Sequence, residues 1–199
     1  MKKNLIPLLV LAVSLPLLTD AEGLLVYKPP KTGAPVTRIG GGTRDLDLST
    51  PQIQVLAPHQ IALTSKSQPV LYWYLSHAKK ETIEITLTKE GIDKPLLKRQ
   101  VSAIAKPGLQ KIRLADYGVS LEAGEDYRWS VSAINNPENS GDIINSATLR
   151  YEAPGIPLSN VEQQAEAGYW YDALQQLIET HSPLTNDLLK QIGLEVPDL

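Results

Sequence analysis

Three histidines, His59, His77 and His181, are the imidazoles of a 199-residue chain that has no cysteine. Imidazole moves protons near neutral pH and ligates metals. No two of these residues stand at the His-x-x-x-His spacing that puts two ligands on one helical face. His59 follows Pro58 in an expected turn, His77 ends an expected strand, and His181 ends an expected helix, whose carboxyl end favours a cation. Three independent surface histidines are therefore expected. No catalytic residue, metal ligand or cofactor site is assigned. The lack of cysteine excludes thiol nucleophiles, cysteine-rich zinc sites and disulfides, so stability must come from burial and backbone hydrogen bonding.

Two acids, Glu166 and Asp172, bracket Gly168. Glycoside hydrolysis needs two carboxyl groups about 5–10 Å apart across a cleft, and nothing in the sequence supplies the cleft. An acid in the first turn of a helix has a structural use there, which is the reading preferred for Asp172. Arg38 and Arg44 flank a run of three glycines, Gly40 to Gly42, whose backbone amides could hold an anion. The Gly-Lys-Ser/Thr end of a phosphate loop is missing, so a plain connector is preferred. The strongest binding candidates are aromatic. With Trp73 pointing inward, Tyr72 and Tyr74 share the opposite face of a strand and form a flat platform for a peptide or sugar ring. The competing expectation is that Trp170 and Tyr171 of a helical hairpin cover it. The candidate surface is thus Tyr72, Tyr74, Arg38, Arg44, Trp170 and Tyr171.

The positioning elements follow from periodicity. Residues 121–132 carry the clearest alternation: Tyr127, Trp129 and Val131 on one face, Arg128, Ser130 and Ser132 on the other, fed by a turn at Gly124. Residues 70–76 alternate likewise, as do 82–88 with Ile83, Ile85 and Leu87 inward. Weaker strands are expected at 53–56 and 61–64 around Pro58, with others at 96–104, 110–114 and 143–151. About seven short strands separated by turn signals predict an antiparallel β-sandwich of immunoglobulin or fibronectin type, with Trp73 and Trp129 in its core. The composition then changes. Ser159 with Glu162 reads as a capping box. Three short helices follow, the second carrying Trp170, Ala173, Leu174, Leu177 and Ile178 on one stripe, the third running over 184–192 to Gly193. The organisation is a signal peptide at 1–21, an extended Pro/Gly-rich arm at 22–51, the sandwich at 52–152 and the helical segment at 153–199. The arm, with Pro29, Pro30 and Pro35, is expected to be polyproline-like and weakly packed.

Lys2 and Lys3 precede an apolar run over 5–18 and small residues before Ala21, the pattern of a secretory signal. The run is short for a membrane span. Cleavage after Ala21 would remove Lys2, Lys3 and Asp20, taking the formal net charge from −3 to −4. A mildly acidic surface gives no reason to expect nucleic acid, and no stable membrane span is expected after cleavage.

Tyr27-Lys28-Pro29-Pro30, Gly40-Gly41-Gly42-Thr43-Arg44, residues 69–75, Leu121-x-x-Gly124-x-x-Tyr127-x-Trp129 and Ala165-Glu166-Ala167-Gly168-Tyr169-Trp170-Tyr171-Asp172-Ala173-Leu174 together resemble a bacterial domain-of-unknown-function family, number 928, common in cyanobacteria. Asp45 and Leu46 stand where many of its members carry Gly and Cys, so no role for that cysteine transfers. The resemblance implies fold and export and lends no activity. The expected function is that of an exported, periplasmic or secreted, non-catalytic envelope or secretion-accessory protein that binds another envelope or secreted protein. The alternatives are a carbohydrate-active or other hydrolase using scattered Asp, Glu and His, and a sugar-binding module.

Overall fold

The computed structural model describes residues 25–31, 53–76, 82–101, 106–134 and 143–197. The signal-like segment, Arg38, the glycine run with Arg44, His77 and the turn at 135–141 lie outside the described residues.

Alternating apolar residues build two sheets. One has three strands in the order β1-β3-β6, formed by β1 (Ile53–Val55), β3 (Val70–Leu75) and β6 (Gly108–Arg113). The other has five in the order β2-β8-β7-β4-β5, formed by β2 (Ala62–Thr64), β8 (Ile143–Tyr151), β7 (Asp126–Ile134), β4 (Thr82–Lys89) and β5 (Leu97–Val101). In β7 every second residue is buried, as its alternation requires. Trp129 lies opposite Leu87 on β4 and Ala147 on β8, and Val131 opposite Ile85. Ile53, Val55, Leu71, Trp73, Leu75 and Ile112 share a face of the three-stranded sheet and are buried. The protein is mostly β, a two-sheet sandwich followed by three helices, and both expected tryptophans are in the core, Trp73 at 4% and Trp129 at 0% exposure.

The sandwich is not wholly antiparallel, because β2 pairs with β8 in parallel. The chain changes sheets at the turn around Pro58. β1 stays antiparallel to β3, while β2 crosses to the edge of the five-stranded sheet and runs alongside its last strand. Gly124 takes φ +79 in the turn before β7, and its amide donates to the Tyr151 carbonyl at 2.9 Å, tying that turn to the end of β8.

The helices are α1 (Val161–Glu166), α2 (Trp170–Glu179) and α3 (Leu184–Lys190). The capping box of α1 sits one residue later than Ser159-Glu162. Asn160 is the cap, its side chain accepting from the Gln163 amide, while the Gln163 side chain accepts from the Ser159 amide. Asn is as good a cap as Ser, and Gln at the third helical position replaces Glu.

The arm departs furthest from expectation. Its described part, residues 25–31, is packed rather than loose: Leu25 is 7% and Tyr27 8% exposed, and both belong to the core cluster. Burial of these two apolar side chains, invisible in a stretch dominated by Pro, Lys and Gly, fixes it against the helices.

Candidate binding surfaces

The reactive groups singled out above are dispersed. His59 and His181 are exposed, and His181 sits at φ 52 in the turn after α2. Among the described residues no group of three His, Asp or Glu side chains could hold a metal. Asp172 is buried, accepting from the Thr64 hydroxyl at 2.9 Å and the Ser65 amide at 2.7 Å, so it pins the end of β2 to α2. Glu166 is exposed and pairs with Lys28 of the arm; that ammonium holds its carboxyl below the usual range. The two acids therefore serve different joints and form no hydrolytic pair.

The aromatic platform is likewise consumed. Tyr72, Trp170 and Tyr171 are 1%, 0% and 2% exposed, which removes them from any surface. Tyr74 is half-buried. Arg113, on the same face of the sheet as Tyr72, meets Glu179 at the end of α2, at 3.6 Å. The Tyr72 hydroxyl finds no hydrogen-bond partner among the described residues. Burial, with the Glu179 charge adding and Arg113 opposing, pushes its pKa up to about 12. Trp170 and Tyr171 are each held by a buried hydrogen bond. The Trp170 indole donates to the Leu56 carbonyl at 2.9 Å, and the Trp129 indole donates to the Tyr171 hydroxyl at 3.0 Å. An apolar stripe obliged α2 to be buried, but the stripe did not say that one aromatic would bond a backbone carbonyl and the other the sandwich's own tryptophan.

Two regions differ in how their backbone is covered. In the first, residues 25–31 form a strap across the helices. Tyr27 stands edge-on to Trp170, ring centroids 4.9 Å apart at 73°. The Gln191 amide clamps the strap on both sides of Val26, accepting from the Tyr27 N–H at 2.7 Å and donating to the Leu25 carbonyl at 2.8 Å. The Lys28 amide donates to the Ala165 carbonyl at 3.1 Å. Beneath lies Gly168, at φ +87, where a Cβ would stand 3.1 Å from Pro30 Cδ and 3.2 Å from the Lys28 carbonyl oxygen. Glycine is required there twice, for its backbone angle and for the close approach of the strap. Gln191 was not singled out in the sequence; a lone Gln after a short helix gives no signal of a long-range contact.

The second region is open. β5 and β6 are the far edges of the two sheets. Among the described residues no further strand flanks β6, where immunoglobulin-type sandwiches carry a fourth. Leu97, Arg99 and Val101 lie opposite Leu87, Ile85 and Ile83, on the core-facing side of β5. Leu97 is buried, yet Arg99 and Val101 are exposed. The Arg99 guanidinium rests 5.2 Å from the centroid of the Tyr117 ring, which follows β6 in a single 3-10 turn, Leu114–Tyr117.

The family model described as Domain of Unknown Function (DUF928) matches residues 39–196. The chain belongs to the DUF928 family. Within this DUF928 chain the match takes in the whole sandwich and the helices but begins after the strap, which therefore docks onto the family region from outside it. No curated protein matches the chain. Among solved structures it is similar to the fibronectin type III domain of human collagen alpha-1(XX) chain, at 10% identity, covering 60% of this chain and 96% of that chain with a TM-score of 0.32.

Proposed function

We propose that this DUF928 protein is an exported, non-catalytic protein of the periplasm or cell envelope that binds another protein through the open side of its sandwich. One observation carries the binding reading. Of seven exposed large apolar side chains among the described residues, Val101 on β5 and Tyr117, just after β6 and against Arg99 of β5, lie at the open side. Exposed apolar side chains grouped beside unpaired strand edges mark interaction sites more often than isolated ones do. Export is supported by the charged, apolar and small-residue order of residues 1–21.

A photo-reactive residue at Val101, expressed in cells, should crosslink to a discrete partner, whereas the same group at Gln163 on α1 should not. Equal labelling at both positions, or none at Val101, would overturn the reading. Intact-mass measurement of envelope material tests the other half, with a chain starting at Glu22 expected and one retaining Met1 excluding cleavage.

A further inference from the structure

We propose that the partner supplies an extended segment of alternating acidic and apolar residues, which adds to the free edge of β6 as a fourth strand. This rests on the reading of the open side as a binding surface and names the chemistry of what binds. β6 pairs with β3 along Gly108 to Arg113 and, among the described residues, with no strand on its other side. A strand's unpaired amides and carbonyls are a template for another extended chain, whose backbone supplies affinity and whose alternate side chains supply specificity.

The side chains around the edge define that alternation. On one face of β6, Gly108, Gln110 and Ile112 look toward the core, so an added strand would place its inward residues across from the exposed Val101 of β5. Those residues should be apolar. On the other face Lys111 is exposed, and Lys106 stands at the approach to the strand. Neither has a carboxylate within ion-pair distance among the described residues, whereas Lys98 on β5 already holds Glu84 at 3.1 Å. Arg99 is held on the Tyr117 ring, and the nearby acid Asp116 is exposed. A concentration of cations on the two edges of a chain whose net charge is −3 is complementary to an acidic segment. It also argues against a second copy as the occupant, since pairing two β6 edges would set lysine against lysine.

The probe is a labelled eight-residue peptide of alternating Asp and Val, titrated against the full mature chain by fluorescence anisotropy, beside a Lys/Val counterpart and an Asp/Val peptide N-methylated at alternate residues. The acidic peptide should bind, weakening as salt is raised. N-methylation of the pairing edge should abolish binding. Lys111→Glu, at an exposed position, should weaken it roughly three- to tenfold and improve the Lys/Val peptide. Indifference to the sign of the peptide, to N-methylation or to Lys111→Glu would overturn the proposal, as would a dimer in sedimentation that Lys111→Glu dissociates. Crosslinking at Val101 in cells without peptide binding would sink the acidic-strand proposal alone. Peptide binding without crosslinking would sink the functional reading alone.

Discussion

On the helical side of the sandwich the strand edges meet partners. The Leu63 amide of β2 donates to the Gly168 carbonyl at 3.1 Å, Thr64 reaches Asp172, and the Val55 amide of β1 donates to the Asn145 side chain at 3.2 Å. Trp170, Tyr171 and the strap residue Tyr27 complete the cover. On the β5–β6 side the edges carry Lys98, Arg99, Lys106 and Lys111 instead, and Val101 and Tyr117 remain in water. Both are answers to the same difficulty, an edge of unpaired backbone groups that invites aggregation. Covering an edge commits it to the fold. Charging it keeps the molecule apart from its own copies while leaving the edge accessible to a partner of opposite charge. One sandwich thus treats its two sides differently, one edge packed under the helices and the other left charged and exposed.

The sharpest way to break that contrast is at Trp170. Trp170→Ala removes a fully buried indole, its edge-on contact with Tyr27 and its bond to the Leu56 carbonyl. A loss of about 3–5 kcal/mol is expected, read as a fall in the urea midpoint. An unchanged midpoint would mean the helical cover contributes nothing to the sandwich.

Gly168→Ala comes next. A non-glycine residue at φ +87 is strained, at about 1–3 kcal/mol, and its Cβ would press on Pro30 and the Lys28 carbonyl. Pro30→Gly removes the nearest atom, so it should return part of the loss when combined with Gly168→Ala. No recovery would assign the whole cost to the backbone angle and leave the strap free to lift.

How much of this was legible in the sequence varied with the kind of interaction. The strands of β3, β4 and β7 were readable because a half-buried sheet imposes a period of two, and Trp129 could fall on only one face. The second helix was readable from its stripe. The strap was not, because Leu25 and Tyr27 are two apolar residues in a Pro- and Lys-rich stretch, too few for a period. Their partners Gln191 and Trp170 lie more than a hundred residues away. The parallel β2–β8 pairing was hidden for a related reason: three residues cannot declare which sheet they join. The candidate surface failed where burial decided it. Tyr72, Trp170 and Tyr171 are amphipathic residues equally at home outside, and only the position of α2 placed them inside. The open side was missed because it is defined by a strand edge that no described strand pairs.

Alkaline pH probes the closed side more gently. Tyr72, with its pKa raised to about 12, and Tyr27, raised by burial as well, stay protonated in the fold when the unfolded chain begins to ionise near pH 10. Stability from these groups is therefore present below pH 10 and is lost as pH rises from there toward 12. Urea midpoints should fall across that window. Tyr72→Phe should flatten the fall and cost little at neutral pH, since its hydroxyl has no partner to lose. A slope unaffected by Tyr72→Phe and Tyr27→Phe together would place the titrating groups elsewhere.

The smallest expected effect on stability is the one that tests the comparison from its other end. Val101 is 41% and Leu96 47% exposed, and neither side chain closes a core gap. Surface substitutions away from caps, strain and buried networks stay within about 0.5 kcal/mol. Val101→Lys and Leu96→Ser should thus leave the urea midpoint where it is, while a photo-reactive group at Tyr117 in the same variants loses its crosslink. Adding a lysine beside Arg99 and Lys98 also raises the positive charge of the edge, so Val101→Lys keeps any purely electrostatic attraction and removes only the apolar contact. If Val101→Lys unfolds the chain, β5 is part of the stabilising core and the open side is not open. If it folds and crosslinks as before, the apolar group at this edge takes no part in binding, and charge alone draws the partner.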